Sequence, residues 1–145
     1  MRAVVQRVRR ASVRIDGSES ASIDRGLFVL LGLRAGDTAA DLDWMAGKVS
    51  RLRVFEDADG KMNLSVGDVG GALAVVSQFT LYGDARRGNR PSYTEAMAVD
   101  DARAFWPAVE ARFAATGIPC PDGPVFALRK SVLPAISAWP GRPPR

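Results

Sequence analysis

Residues 72–93 read ALAVVSQFTLYGDARRGNRPSY, and the rest of the chain is best understood outward from them. The stretch opens on Ala72-Leu73-Ala74-Val75-Val76, a short apolar run after Gly70-Gly71 that predicts a buried strand. The chemistry then changes. Ser77, Gln78 and Thr80 place two hydroxyls and an amide within four residues, with Phe79 between them. Leu81-Tyr82 and a Gly83-Asp84 turn follow, and then the basic Arg86-Arg87-Gly88-Asn89-Arg90-Pro91. A strand end carrying polar groups beside a cationic loop suits a site that holds an anionic substrate against a rigid sheet. On composition alone the plainer reading is favoured, an ordinary strand with a solvated, arginine-rich turn after it.

Upstream of that stretch, residues 3–8 alternate imperfectly and predict a strand, and Val13 and Ile15 lie on a second run leading to an Asp16-Gly17 turn signal. Residues 21–23 pair back across that turn in this reading. Residues 27–31 form a nearly continuous apolar run, the mark of a central strand. Thr38 with Asp41 three residues on approximates a capping box, and Leu42, Met45, Val49 and Leu52 recur on one helical face. Asp57-Ala58-Asp59-Gly60 is a turn; no calcium-loop ligand pattern follows it. Gly67, Gly70 and Gly71 lack the Gly-Lys-Ser/Thr ending of a phosphate loop. Downstream, a second helix is predicted from about Asp100-Asp101, with Phe105, Val109 and Phe113 on its apolar face and Gly117 as its stop. Pro107 falls inside that pattern, so a kink or a start nearer Phe105 is expected. The end, from Pro134, is rich in Pro and Gly and is expected to fray. Short strands joined by glycine-containing turns make the fold α+β: a mainly antiparallel, curved or barrel-like sheet with two helices.

The totals narrow the chemistry. At 145 residues the chain is most simply one domain, long enough to bury about two-thirds of its unfolded surface. No apolar run approaches a membrane span and the N-terminus lacks a signal-peptide pattern, which predicts a cytoplasmic protein with no membrane partner. Histidine is absent, which excludes a Ser-His-Asp or Cys-His arrangement and every His-containing metal site. Cys120 is the single cysteine, so neither an internal disulfide nor a thiolate cage can form, and a structural thiol is expected there. The net charge is +4, carried mostly by arginine, since only Lys48, Lys61 and Lys130 are lysines. Arg7, Arg9 and Arg10 form one cluster and Arg86, Arg87 and Arg90 another. Both suit phosphate contacts, because guanidinium pairs with phosphate in a forked geometry.

The block SQFTLYGDARRGNRPSY resembles the signature of the D-aminoacyl-tRNA deacylases, also called D-tyrosyl-tRNA deacylases. MRAVVQRVRRASV at the start, GLFVLLGL at 26–33 and RVFEDADGKMNL at 53–64 are similar to the family's other blocks, in the family's order. The likeness runs from Met1 to about residue 117. It implies hydrolysis of the ester of D-aminoacyl-tRNA by a homodimer without a cofactor. Such an ester is already activated, so positioning and stabilisation of the developing oxyanion suffice, with no strong base. Backbone N–H groups at Gln78, Phe79 and Thr80 are candidates for that oxyanion site. Thr80 is placed as an orienting hydroxyl; as a nucleophile it would lack a group to deprotonate it. The resemblance adds another activator, the 2′-hydroxyl of the terminal adenosine, acting on the attacking water. Ser77 and Gln78 then orient the substrate and Phe79 offers a stacking or wall surface. Arg7 resembles the arginine that holds the family's chirality-selecting loop, and Met62 and Asn63 resemble residues near its pocket. Arg87, Arg90 and Pro91 complete the expected substrate-binding set.

In the family a cis Gly-Pro dipeptide reaches from one subunit into the partner's site and excludes L-residues. Its motif resembles NDGPVT near the C-terminus. Here Gly123-Pro124 has the right letters about fifteen residues early, and the expected place reads Ala138-Trp139-Pro140-Gly141-Arg142. A deletion that moved the motif, a diverged tail and a frameshifted reading each account for this. Gly123 and Pro124 are the chain's candidates for the filter. An RNA-binding module that kept the sheet and basic loop but lost catalysis with its tail is the rival reading.

Overall fold

A computed structural model describes residues 1–15, 17–121 and 135–138. Its centre is β3 (Gly26–Gly32), buried along nearly its whole length. On one side β3 pairs antiparallel with β1 (Arg2–Ile15), from Arg2↔Gly32 to Val8↔Gly26. On the other it pairs parallel with β6 (Ala72–Ser77), from Gly26↔Ala72 to Leu31↔Ser77. The far half of β1 pairs antiparallel with β2 (Ser18–Ile23) and with β7 (Ala135–Ala138). The order is β2-β1-β3-β6, with β7 beside β1. The sheet curls enough to bring β2 near β6, giving a half-barrel. A hairpin of β4 (Phe55–Glu56) and β5 (Met62–Leu64) lies outside it.

Both faces of the sheet are covered, and the side-chain period of two sorts β3 and β6 between them. Leu27, Val29, Leu31, Leu73 and Val75 face the helices α1 (Ala39–Ser50) and α2 (Val99–Ala114), packing on Leu42, Val49, Trp106, Val109 and Phe113. Phe28, Ala74 and Val76 face into the curl with Val8, Ala11, Val13 and Ile23. A strand buried on two faces has no polar side, which is why both runs are continuously apolar. The fold is α+β, mainly antiparallel, as expected; β6 is the exception. Its parallel pairing needs the long crossover that residues 33–71, with α1 and the hairpin, supply.

Several local expectations change. The two runs expected in residues 3–15 are one 14-residue strand, which keeps its length by slipping register between Val8 and Arg10 against β7 and between Val13 and Arg14 against β2. Thr38 does form a reciprocal capping box with Asp41. Leu52, expected on the α1 face, falls beyond the helix end. Helix α2 begins at Val99 and runs through Pro107, which is exposed and offers the Arg103 carbonyl no N–H. Trp106 is buried beside Val109 and Phe113, while Phe105 is half-buried.

Candidate active site

The polar block begins where β6 ends. Gln78 N–H donates to the Leu31 carbonyl at 2.8 Å, adding one more rung beside β3. The backbone then leaves the sheet as a single 3₁₀ turn, Phe79–Tyr82, closed by Leu81 N–H to the Gln78 carbonyl and Gly83 N–H to the Thr80 carbonyl. Three features fix it. Tyr82 is buried, and burial, with Asp37 nearby, raises its hydroxyl pKa. Arg2 donates to the Leu81 carbonyl at 3.0 Å and lies 4.5 Å over the Tyr82 ring. Gly32 lets the turn approach so closely that a Cβ there would meet the Gln78 carbonyl oxygen and Tyr82 ring at 3.1–3.2 Å.

On this support Ser77 and Gln78 are half-buried and Phe79 and Thr80 are exposed. The Gln78 side-chain amide donates to Thr80 Oγ1. That hydroxyl therefore accepts from within the protein and keeps its own proton to donate outward. Phe79 meets Tyr93 edge to face, with ring centroids 5.3 Å apart. Of the three N–H groups expected as oxyanion donors, that of Gln78 donates to the Leu31 carbonyl, while those of Phe79 and Thr80 open the turn, where a helix makes no internal bond.

The other expected residues form separate groups. Arg7 donates to the Val54 carbonyl at 2.6 Å and lies 3.8 Å from the Glu56 carboxylate, so it braces the approach to the β4–β5 hairpin. Asn63 is pinned there from two sides: Arg53 donates to its carbonyl and side-chain oxygens, and its own amide donates to Asp57. Asp57 also accepts from Asp59 and Lys61 N–H, and these bonds, the Asn63 one foremost, lower its pKa. Met62 is 63% exposed. Arg7 stands opposite Leu27 and Ser77 opposite Leu31, about 13 Å apart along β3. No hydrogen bond or ion pair among the described residues joins the hairpin group to residues 77–80.

The basic segment is a closed loop. Asp84 and Ser92 exchange both backbone hydrogen bonds at 2.8 Å. The Asp84 carboxylate also accepts from the Arg86 backbone and, in a fork at 2.9 and 2.7 Å, from its guanidinium. Arg86 holds that carboxyl at a pKa of about 2. Arg87, Arg90 and Pro91 are exposed, and the two arginines line a cleft of about 570 Å³ with Asp84, Arg86, Ser92 and Thr94. Cys120 is half-buried with a raised pKa, owing chiefly to burial, which fits a structural thiol. Gly123 and Pro124 lie outside the described residues. Sequence reading missed Arg2, Asp84 and Tyr93. Of these, only Asp84 leaves a local signal, an acid two residues before a cation at a turn.

The structure matches one described as a "probable eukaryotic D-amino acid tRNA deacylase" with a TM-score of 0.74 over 94% of this chain and 92% of that one, at 13% identity. It matches the c-Myc DNA Unwinding Element Binding Protein with a TM-score of 0.82 at 36% identity, over 94% and 91%. Residues 4–132 match the family model described as D-Tyr-tRNA(Tyr) deacylase, and this chain belongs to that family. Among curated relatives it is similar to the D-aminoacyl-tRNA deacylase of Anaeromyxobacter dehalogenans, 57% identical over 109 residues, 75% of this chain and 73% of the relative. It is also similar to that of Koribacter versatilis, 50% identical over 128 residues, 88% and 86% of the two chains.

Proposed function

We propose that this chain hydrolyses the ester bond of D-aminoacyl-tRNA, releasing D-amino acid and free tRNA. The observation that carries the reading is the family match over residues 4–132, which takes in the whole strand-end turn and the basic loop. The geometry supports it. In this reading the Phe79 and Thr80 N–H groups, at the opening of the 3₁₀ turn, stabilise the oxyanion, and the Thr80 hydroxyl, which accepts from Gln78, donates to the substrate or to the attacking water. No histidine exists to activate Thr80, so water is the nucleophile. Ser77 and Gln78 orient the substrate, and Phe79 supplies an aromatic wall 52% exposed. Arg7, Met62 and Asn63, grouped at the hairpin, form the second part of the binding surface. In this reading the chain acts in the cytoplasm as a single-domain homodimer without a cofactor, with Gly123-Pro124 of each subunit filtering substrate chirality in the other's site.

The name of the DNA-unwinding-element binding relative favours a second reading, a nucleic-acid-binding module without catalysis. Turnover separates the two. The enzyme releases tyrosine from D-tyrosyl-tRNA and spares L-tyrosyl-tRNA; the binding module leaves both intact while still binding them.

A further inference from the structure

Three arginines crowd the loop after the catalytic turn, but the structure treats them differently. Arg86 is turned back on the loop's own base, where its fork closes on Asp84 and its backbone N–H donates to the same carboxylate. Asp84 is in turn fixed by the paired backbone bonds to Ser92. One charge is thereby compensated within the loop. Arg87 and Arg90 have no ion-pair or hydrogen-bond partner among the described residues, and both line the same open cleft. Phosphate recognition uses uncompensated guanidinium groups, and a loop backbone already closed before the ligand arrives lowers the ordering cost of binding.

We propose that residues 84–92 form a preset phosphate clamp in which Arg87 and Arg90 contact the RNA backbone, while Arg86 is an internal strut and Asp84 the positioning residue that holds it. This rests on the reading of the substrate as tRNA and separates three arginines that look equivalent in sequence. The clamp adjoins the turn through Tyr93, the residue after Ser92, whose ring meets Phe79 edge to face at 5.3 Å and sits so near Gly83 that a Cβ added there would lie 3.1 Å from it.

The test is the salt dependence of binding of deacylated tRNA to the full chain, measured by fluorescence anisotropy across a potassium chloride series. Removing one phosphate-binding cation lowers the slope of log K against log salt by about 0.7–0.9. Arg87→Gln and Arg90→Gln should each lower it by that amount. Arg86→Gln should weaken binding equally at all salt concentrations, displacing the line without changing its slope. Asp84→Asn tests the clasp from its other end: it frees the Arg86 guanidinium and should steepen the slope, and Asp84→Glu, which keeps the carboxylate, should return it toward wild type. A slope lowered by Arg86→Gln as much as by Arg87→Gln, or made shallower by Asp84→Asn, overturns the proposal. Lowered slopes at Arg87 and Arg90 alone, in a chain that hydrolyses no D-aminoacyl-tRNA, would uphold the clamp while removing the enzymatic reading.

Discussion

Thr80 carries the chemistry in this account because its oxygen accepts the Gln78 amide and its proton remains to be donated. Losing that donor should lower kcat of Thr80→Ala about 10-fold, or about 1.4 kcal/mol in the barrier. Thr80→Ser should retain most of the rate, and no acyl group should be trapped on residue 80 in rapid-quench experiments. An acyl-Thr80 species would make it the nucleophile. Asp84 makes a prediction about pH. Its folded-state pKa, about 2, lies below the ordinary carboxylate range. A depressed carboxylate pKa stabilises above the unfolded value and loses that contribution as pH falls through the folded one. The Asp84–Arg86 clasp should therefore persist through the mildly acidic range and open only as pH approaches about 2. Carboxyl ¹³C titration of Asp84 checks this, and a midpoint near the ordinary carboxylate value, about 4, would mean that the clasp does not form.

At the scale of elements, the pairing of β3 with β6 sets the position of the site. Gly26 permits it: a Cβ there would lie 1.9 Å from the Ala72 carbonyl oxygen, so the backbone would have to shift. Gly26→Ala should cost about 1–3 kcal/mol, read as a lowered denaturation midpoint. An unchanged midpoint would show that the two strands are less tightly apposed. What the sequence reveals here follows the range of the interactions. Helix α1 is legible because Thr38 and Asp41 are three residues apart and cap each other. Ser77, Gln78, Phe79 and Thr80 are legible as a block because they are contiguous. The long β1 is not, since its register slips occur against partners distant in sequence. Counting in fours favours Phe105 over Trp106, yet at about 100° per residue Trp106 lies about 20° from Phe113 and Phe105 about 80°. Gln78 N–H is engaged by Leu31 because the β3–β6 ladder extends one rung past the last apolar residue.

On the scale of the whole molecule, the proposed enzyme hydrolyses one enantiomer of its substrate and spares the other. The residues proposed to orient the ester lie on the strand-end turn, and selectivity is assigned to Gly123-Pro124 acting across a dimer. Gly123-Pro124→Ala-Ala should then hydrolyse L-tyrosyl-tRNA as well as D-tyrosyl-tRNA, while wild type sediments as a dimer. If selectivity is unchanged in that variant, the filter lies elsewhere. The most direct measurement is single-turnover release of tyrosine by the wild-type chain from D-tyrosyl-tRNA and L-tyrosyl-tRNA in parallel. Release from the D-ester should lie far above its uncatalysed hydrolysis, with none above background from the L-ester. Equal rates for the two, or no acceleration of either, would contradict that expectation.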